Sequence, residues 1–318
     1  MRHLLISIAL FGACLMLFSA CANRRVQPPI ERDLTLIVPD TFVLPDIPAS
    51  LTNPADRANY LVMNYWNRFD FDNENLIERP EITEQAFVNY IHILGYVSEQ
   101  LAKKSIAHTL RKAQTNRNMY LHFVSLFEKY LYDVTSPFRN DPLYVFVLQQ
   151  VIGARFLTED EKSIYRFQLN MALRNRVGSR AANFTYTLAS GESGTLHALR
   201  SEYTLLIFSD PSCATCSAIL EQLNRCAGIN AAFARNVPSR TMLTVLTIYP
   251  HSGRDAWLAY VPTMPERWIH GHNQDLEIVR RRLYNIRTFP TIYLLDRNKR
   301  VILQGASVEE VGVFFSHQ

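Results

Sequence analysis

The feature that most constrains the fold is an apolar run, Tyr203-Thr204-Leu205-Leu206-Ile207-Phe208-Ser209, followed at once by Asp210-Pro211-Ser212-Cys213-Ala214-Thr215-Cys216. Ile219, Leu220 and Leu223 then recur at helical spacing. A short apolar run bounded by turn residues reads as a buried strand, and apolar positions three and four apart read as one face of a helix. The order is therefore strand, tight loop, CxxC, helix. A cysteine at a helix N-terminus faces unpaired backbone N–H groups and the positive end of the helix dipole, which favour thiolate over thiol. Two intervening residues place Cys216 in the first turn, near enough to Cys213 to close a small disulfide and to displace a partner from a mixed disulfide. CxxC is also half of a zinc site, but no second CxxC or CxxH occurs, and only Cys226 and scattered histidines remain downstream. No metal or organic cofactor is expected. Cys226, ten residues after Cys216 on the amphipathic helix, reads as a small buried hydrophobe.

Further β patterning surrounds this unit. Phe184–Leu188 and Thr195–His197 flank a turn signal at Ser190-Gly191-Glu192-Ser193-Gly194, as in a hairpin, and Thr241–Tyr249 reads as a second buried strand. Pro290 follows Cys213 by 77 residues, within Ile286-Arg287-Thr288-Phe289-Pro290-Thr291; a strand to Asp296, a charged turn at Arg297–Arg300, a second strand and Gly305 come next.

These motifs together resemble the thioredoxin family. The resemblance implies an α/β thioredoxin-like C-terminal domain over residues 177–318, preceded by an all-α helical domain. It implies that Cys213 and Cys216 are the catalytic pair and that Pro290 is a cis proline lying against them. Phe289, through its backbone, and Ser212 would then position substrate. Three departures accompany the match: Ser212 replaces the usual aromatic residue, Ile207 replaces a buried acid, and Ile219 replaces a glutamate used by some envelope-facing members. Asp210 and Glu221 are the remaining nearby acids and read as solvated. The His251–His272 stretch, with Trp257 and Trp268, reads as an insertion. With the leading hairpin, it is similar to membrane-anchored, envelope-facing members that reduce periplasmic disulfides or serve cytochrome maturation.

The N-terminus reads as targeting. Arg2 and His3 precede an uncharged stretch from Leu4 to Ala20, and Cys21 follows directly. This is the pattern of a signal peptide, shorter than the ~20 apolar residues a membrane span needs. The Leu17-Phe18-Ser19-Ala20-Cys21 ending resembles the lipobox of bacterial lipoproteins. That resemblance implies removal of residues 1–20 and a lipid-bearing Cys21, each buried CH2 contributing ~0.8 kcal/mol to membrane anchoring. Ala22-Asn23-Arg24-Arg25 carries no acidic sorting signal, so the expected place is periplasm-facing, on the outer membrane. Residues 21–52, rich in proline, read as an extended tether.

Residues 53–176 read as the helical domain. Asn53 caps and Pro54 opens a first helix, and further helices are expected at 83–97, 98–114, 118–132, 142–155 and 159–174. Thr158-Glu159-Asp160-Glu161 fits a capping box. Tyr120, Phe123, Phe127, Tyr130, Tyr144, Phe146, Tyr165 and Phe167 read as core. The acidic run 70–74 lacks the glycine and final glutamate spacing of a calcium loop. Lys103, Lys104, Arg111, Lys112 and Arg117 read as a wet helix face. The arrangement of lipoprotein signal, helical domain and thioredoxin-like domain resembles lipoproteins of some Gram-negative gut bacteria.

At 48% hydrophobic and 19% charged residues the chain folds, and its net charge of +4 implies no nucleic-acid partner. Two functions follow. One is a lipid-anchored thiol-disulfide oxidoreductase acting on protein disulfides with a thiol redox donor as second partner, as reductase or isomerase. The other is a redox-inert scaffold whose helical domain binds an envelope partner.

Overall fold

The computed structural model describes residues 41–317. The signal segment, Cys21 and most of the tether lie outside the described residues. Residues 41–52 have no regular secondary structure, yet they are docked: the Phe42 ring stacks on Tyr65 at 4.9 Å and Arg68 pairs with Asp46 at 2.5 Å.

Six helices follow: α1 (Pro54–Asn64), α2 (Thr83–Leu94), α3 (Glu99–Ala113), α4 (Arg117–Leu131), α5 (Asp141–Gly153) and α6 (Glu159–Ala172). Five of the six starts are set by side-chain caps, α2 being the exception. Asn53, Ser98, Asn116 and Asn140 each accept a first-turn N–H, and Thr158 with Glu161 forms a full capping box. Phe87, Tyr90, Tyr120, Phe123, Phe127 and Tyr144 are fully buried, with Trp66 set edge-on against Phe123 at 4.9 Å. The core hydroxyls are satisfied at Tyr65, which donates to the Ala86 carbonyl, and at Tyr90, 2.7 Å from Ser105 Oγ. Phe167 departs from the expected core: it is 44% exposed, because it lies on the outer side of α6, and its ring is covered by the Arg282 guanidinium at 4.6 Å. In the acidic run, Glu74 accepts from Asn116 and Asn118, so its carboxylate is engaged by protein donors.

The α/β domain contains β1 (Thr185–Thr187), β2 (Ser193–Thr195), β3 (Tyr203–Phe208), α7 (Cys216–Arg225), α8 (Ala227–Ala234), β4 (Leu243–Tyr249), α9 (Arg254–Tyr260), β5 (Ile269–His272), α10 (Glu277–Arg280), β6 (Thr291–Asp296), β7 (Val301–Gln304) and α11 (Val308–Ser316). One sheet runs β2-β1-β5-β4-β3-β6-β7, with β3, β4 and β5 parallel and β6 and β7 antiparallel. β3 is an interior strand, between β4 and β6, and is covered on both faces, which explains its apolar run. Leu205 and Ile207 face a core shared with α7, α8 and α11, while Leu206 and Phe208 face Phe184, Tyr284 and Tyr293. The 251–272 stretch is integral to the sheet: β5 pairs with β4 and also with β1, tying the hairpin to the parallel strands.

Within β5, His270 is half-buried; Nε2 lies 3.0 Å from the Pro265 carbonyl and Nδ1 lies 2.7 Å from Thr247 Oγ1. A carbonyl only accepts, so Nε2 carries the proton and Nδ1 accepts from the Thr247 hydroxyl. Burial holds its pKa below the ordinary 6.5, opposed by the Pro265 hydrogen bond. A depressed folded-state value gives stability that is complete above the unfolded pKa and lost as pH falls through the folded one. The urea midpoint is thus expected to fall more steeply below about pH 6.5 in the native protein than in His270→Gln. Parallel profiles would show that His270 contributes nothing to acid lability.

The helical and α/β regions join without a spacer. Asn175 donates through Nδ2 to the Leu283 carbonyl at 2.8 Å and accepts at Oδ1 from Ala182 N–H, and Gly178 N–H donates to Val301 at 2.8 Å. Tyr132 carries the second junction: its ring lies 3.9 Å under the Arg287 guanidinium, and its hydroxyl accepts from Asn285 at 2.8 Å.

Candidate active site

The turn ahead of α7 is built by its own side chains. Asp210 Oδ1 accepts from Ser212 N–H at 2.8 Å and from the Ser212 hydroxyl at 2.5 Å, and Cys213 N–H donates to the Asp210 carbonyl at 3.0 Å. This Asx turn brings the chain from the end of β3 into the helix. α7 starts at Cys216 with Thr215 at its N-cap, so Cys213 stands in the turn before the helix, two residues ahead of the cap and not at the expected helix N-terminus. The electrostatic consequence survives, because Cys216 N–H points at Cys213 Sγ across 3.1 Å. A backbone donor aimed at this sulfur favours the thiolate.

The two cysteines are joined as a disulfide with Cα atoms 5.4 Å apart. Their environments differ: Cys216 is fully buried, whereas Cys213 is half-exposed. Only Cys213 can meet a large partner. Across from it, the Phe289–Pro290 peptide is cis, and the Phe289 carbonyl oxygen lies 3.3 Å from Cys213 Sγ. The structure thus brings Cys213, Cys216, Phe289 and Pro290 together. Ser212 is exposed and turned toward Asp210, so its hydroxyl is spent on the turn.

Among the described residues, the acids near the pair are engaged elsewhere. Asp210 is held by Ser212, Glu221 is ion-paired with Arg225, and Ile207 is fully buried. The ring that does approach is His251, 5.5 Å from Phe289, which sequence pattern gave no reason to single out. Cys226 is a half-buried free thiol at the break between α7 and α8, not within a helix; its backbone is extended at φ −62°, ψ 121°. Among the described residues, no three His, Cys, Asp or Glu side chains converge as a metal site requires.

The second element missed by sequence reasoning is a cleft of 740 Å³ in which Arg139, Asn140 and Asp141 of the helical region face Arg287, Pro290, Tyr293 and Gly305 of the α/β domain. Asp141 and Arg287 are 146 residues apart, beyond the reach of any local pattern.

Residues 19–175 match a family described as a domain of unknown function, DUF5106. Among solved structures, a thioredoxin-like protein from Bacteroides caccae is 36% identical, with a TM-score of 0.81, over 87% of this chain and 99% of that one. The C-terminal domain of an uncharacterized protein from Bacteroides fragilis is 39% identical over 45% of this chain and 98% of its own, with a TM-score of 0.43. The thioredoxin domain of a thiol-disulfide oxidoreductase from Bacteroides vulgatus is 18% identical over 45% of this chain and 96% of its own, with a TM-score of 0.39. No curated protein matches the chain. The near full-length similarity to the Bacteroides caccae protein spans both the helices and the sheet, and on it the chain belongs to the thioredoxin-like proteins.

Proposed function

We propose that the chain is a thiol-disulfide oxidoreductase acting on protein disulfides through Cys213 and Cys216. The observation that carries this reading is the asymmetry of the pair: a half-exposed Cys213 with a backbone N–H aimed at its sulfur, and a fully buried Cys216 behind it. In the reduced protein the Cys213 thiolate attacks one sulfur of a substrate disulfide. The substrate S–S bond breaks, and the departing sulfur leaves as a thiolate that solvent protonates. Cys216, deprotonated in turn, attacks Cys213 Sγ, which closes the Cys213–Cys216 disulfide and releases the second substrate sulfur as a thiol. The substrate gains two electrons and two protons, and a dithiol donor must return them to the pair. In isomerase use, a second substrate thiol resolves the adduct and no net electrons move. Pro290 and Phe289 flank the sulfur and align the substrate chain.

The membrane address belongs to the same proposal: cleavage before Cys21, lipid on Cys21, and a periplasm-facing place on the outer membrane. Cys21→Ser is expected to accumulate as uncut precursor and to take up no labelled fatty acid, and a labelled Cys21→Ser protein would remove the anchor from the account. A second reading, a redox-inert scaffold, is favoured by one observation: with Ile207 buried and Asp210 and Glu221 engaged, none of these residues is poised to deprotonate Cys216. Insulin reduction by dithiothreitol separates the two readings. The protein is expected to accelerate it well above the uncatalysed rate, and a rate equal to the protein-free control would leave the scaffold.

A further inference from the structure

The cleft beside Pro290 has a charge pattern of its own. Asp141 is clasped by two arginines, accepting from Arg139 Nε and Nη2 at 3.0 Å each and from Arg287 Nη2 at 3.4 and 3.2 Å. Arg139 Nη1 also donates to the Gly305 carbonyl at 3.1 Å, where φ is +59° and an added Cβ would fall 2.6 Å from the guanidinium. That position therefore requires glycine. One acid thus faces two arginines. The other lining acid, Glu310, is turned back to accept from Ser307 N–H at 2.8 Å, capping α11. Arg176, at the exposed rim, has no ion pair among the described residues.

With Arg139, Arg176 and Arg287 against Asp141 and Glu310, whose charge still reaches Arg139, the cleft lining holds a surplus of one positive charge. It also holds a buried hydroxyl: Tyr293 is fully buried and lines the cleft, and its hydroxyl, near Gln304, makes no hydrogen bond of normal geometry. Leaving such a group unpaired is costly, so an acceptor supplied by a ligand would be favoured there.

One end of the cleft is Pro290, directly after Phe289, whose carbonyl is 3.3 Å from Cys213 Sγ. A chain lying along the cleft passes the reactive sulfur. Its 740 Å³ falls within the size range of pockets that hold small ligands or short peptide stretches. We infer that this cleft is a subsite for an extended, carboxylate-bearing stretch of the substrate polypeptide flanking its disulfide, and that the helical region is thereby the specificity element of the Cys213 chemistry. The inference rests on the oxidoreductase reading and adds to it the charge of the substrate and a task for the helices.

The test uses the reduced full chain and three probes: two peptides of equal length with an internal disulfide flanked by Glu-Glu or by Lys-Lys, and hydroxyethyl disulfide. The Glu-flanked peptide is expected to have a kcat/KM about tenfold above the Lys-flanked one, with the difference in KM and diminishing as salt is raised. Arg139→Gln and, separately, Arg176→Gln are each expected to bring that ratio to within about twofold of unity, since each removes a charge the carboxylates meet. Arg176, at the exposed rim, carries the test if Arg139→Gln does not fold. Tyr293→Phe, which keeps the ring, is expected to raise KM for the Glu-flanked peptide. If the native protein turns over hydroxyethyl disulfide but treats both peptides alike, or if the ratio survives both arginine substitutions, the subsite is overturned while the oxidoreductase stands. No turnover of any of the three probes would overturn both.

Discussion

Cys213→Ser is expected to abolish disulfide exchange outright, whereas Cys216→Ser keeps the attack and stalls after it. The difference follows from position. Cys213 is half-exposed and receives the Cys216 N–H at 3.1 Å, while Cys216 is fully buried and reachable only by its neighbour. A serine hydroxyl at position 213 does not ionise at neutral pH, so no nucleophile remains. With Cys216 replaced, the mixed disulfide on Cys213 has nothing to resolve it and accumulates as a heavier species that disappears with reductant. Non-reducing electrophoresis of the two variants, incubated with a protein disulfide, checks this. Adducts on both variants, or on neither, would contradict the assigned roles.

Asp141→Ala is expected to lower stability by about 2–3 kcal/mol, at or just below the ~3–5 kcal/mol of breaking a fully buried ion pair, because roughly a fifth of each side chain meets solvent. The loss exceeds that of a surface pair because two arginines, 139 and 287, are left facing each other across the junction of the helices with the sheet. Arg287 also sits on the Tyr132 ring, so its displacement reaches the second junction contact. Calorimetry is expected to show a lowered transition for Asp141→Ala, with Asp141→Asn intermediate because the amide can still accept. An unchanged transition in both variants would show that the cluster does not stabilise the junction.

Local chemistry made much of this architecture legible in the chain itself. Asn53, Ser98 and the Thr158–Glu161 box mark helix starts because a cap is written within four residues of the group it satisfies. The strand before Cys213 and the helix after Cys216 are likewise read from adjacent residues, whereas the place of Pro290 beside the sulfur followed only from the resemblance to the thioredoxin family. What stayed hidden was set by distance. Arg287 and Asp141 lie 146 positions apart, and hydrophobic periodicity carries no information about which loop meets which. The break at Cys226 has a similar origin: α8 must approach α11 so closely that a Cβ on Gly228 would lie 2.8 Å from the Gly312 carbonyl, and the helix turns there to allow it. Phe42 was hidden among prolines, and its docking depends on Tyr65 and Trp66.

The proposal stands or falls on whether the Cys213–Cys216 disulfide is exchangeable or inert, and its reduction potential decides that. Equilibrating the full chain with graded ratios of reduced and oxidised dithiothreitol, then trapping free thiols, measures it. A half-buried, accessible sulfur whose thiolate receives a backbone donor is expected to place the potential between about −270 and −120 mV, the range of exchange-active pairs. A potential below about −300 mV, where structural disulfides lie, would contradict the oxidoreductase and leave the scaffold.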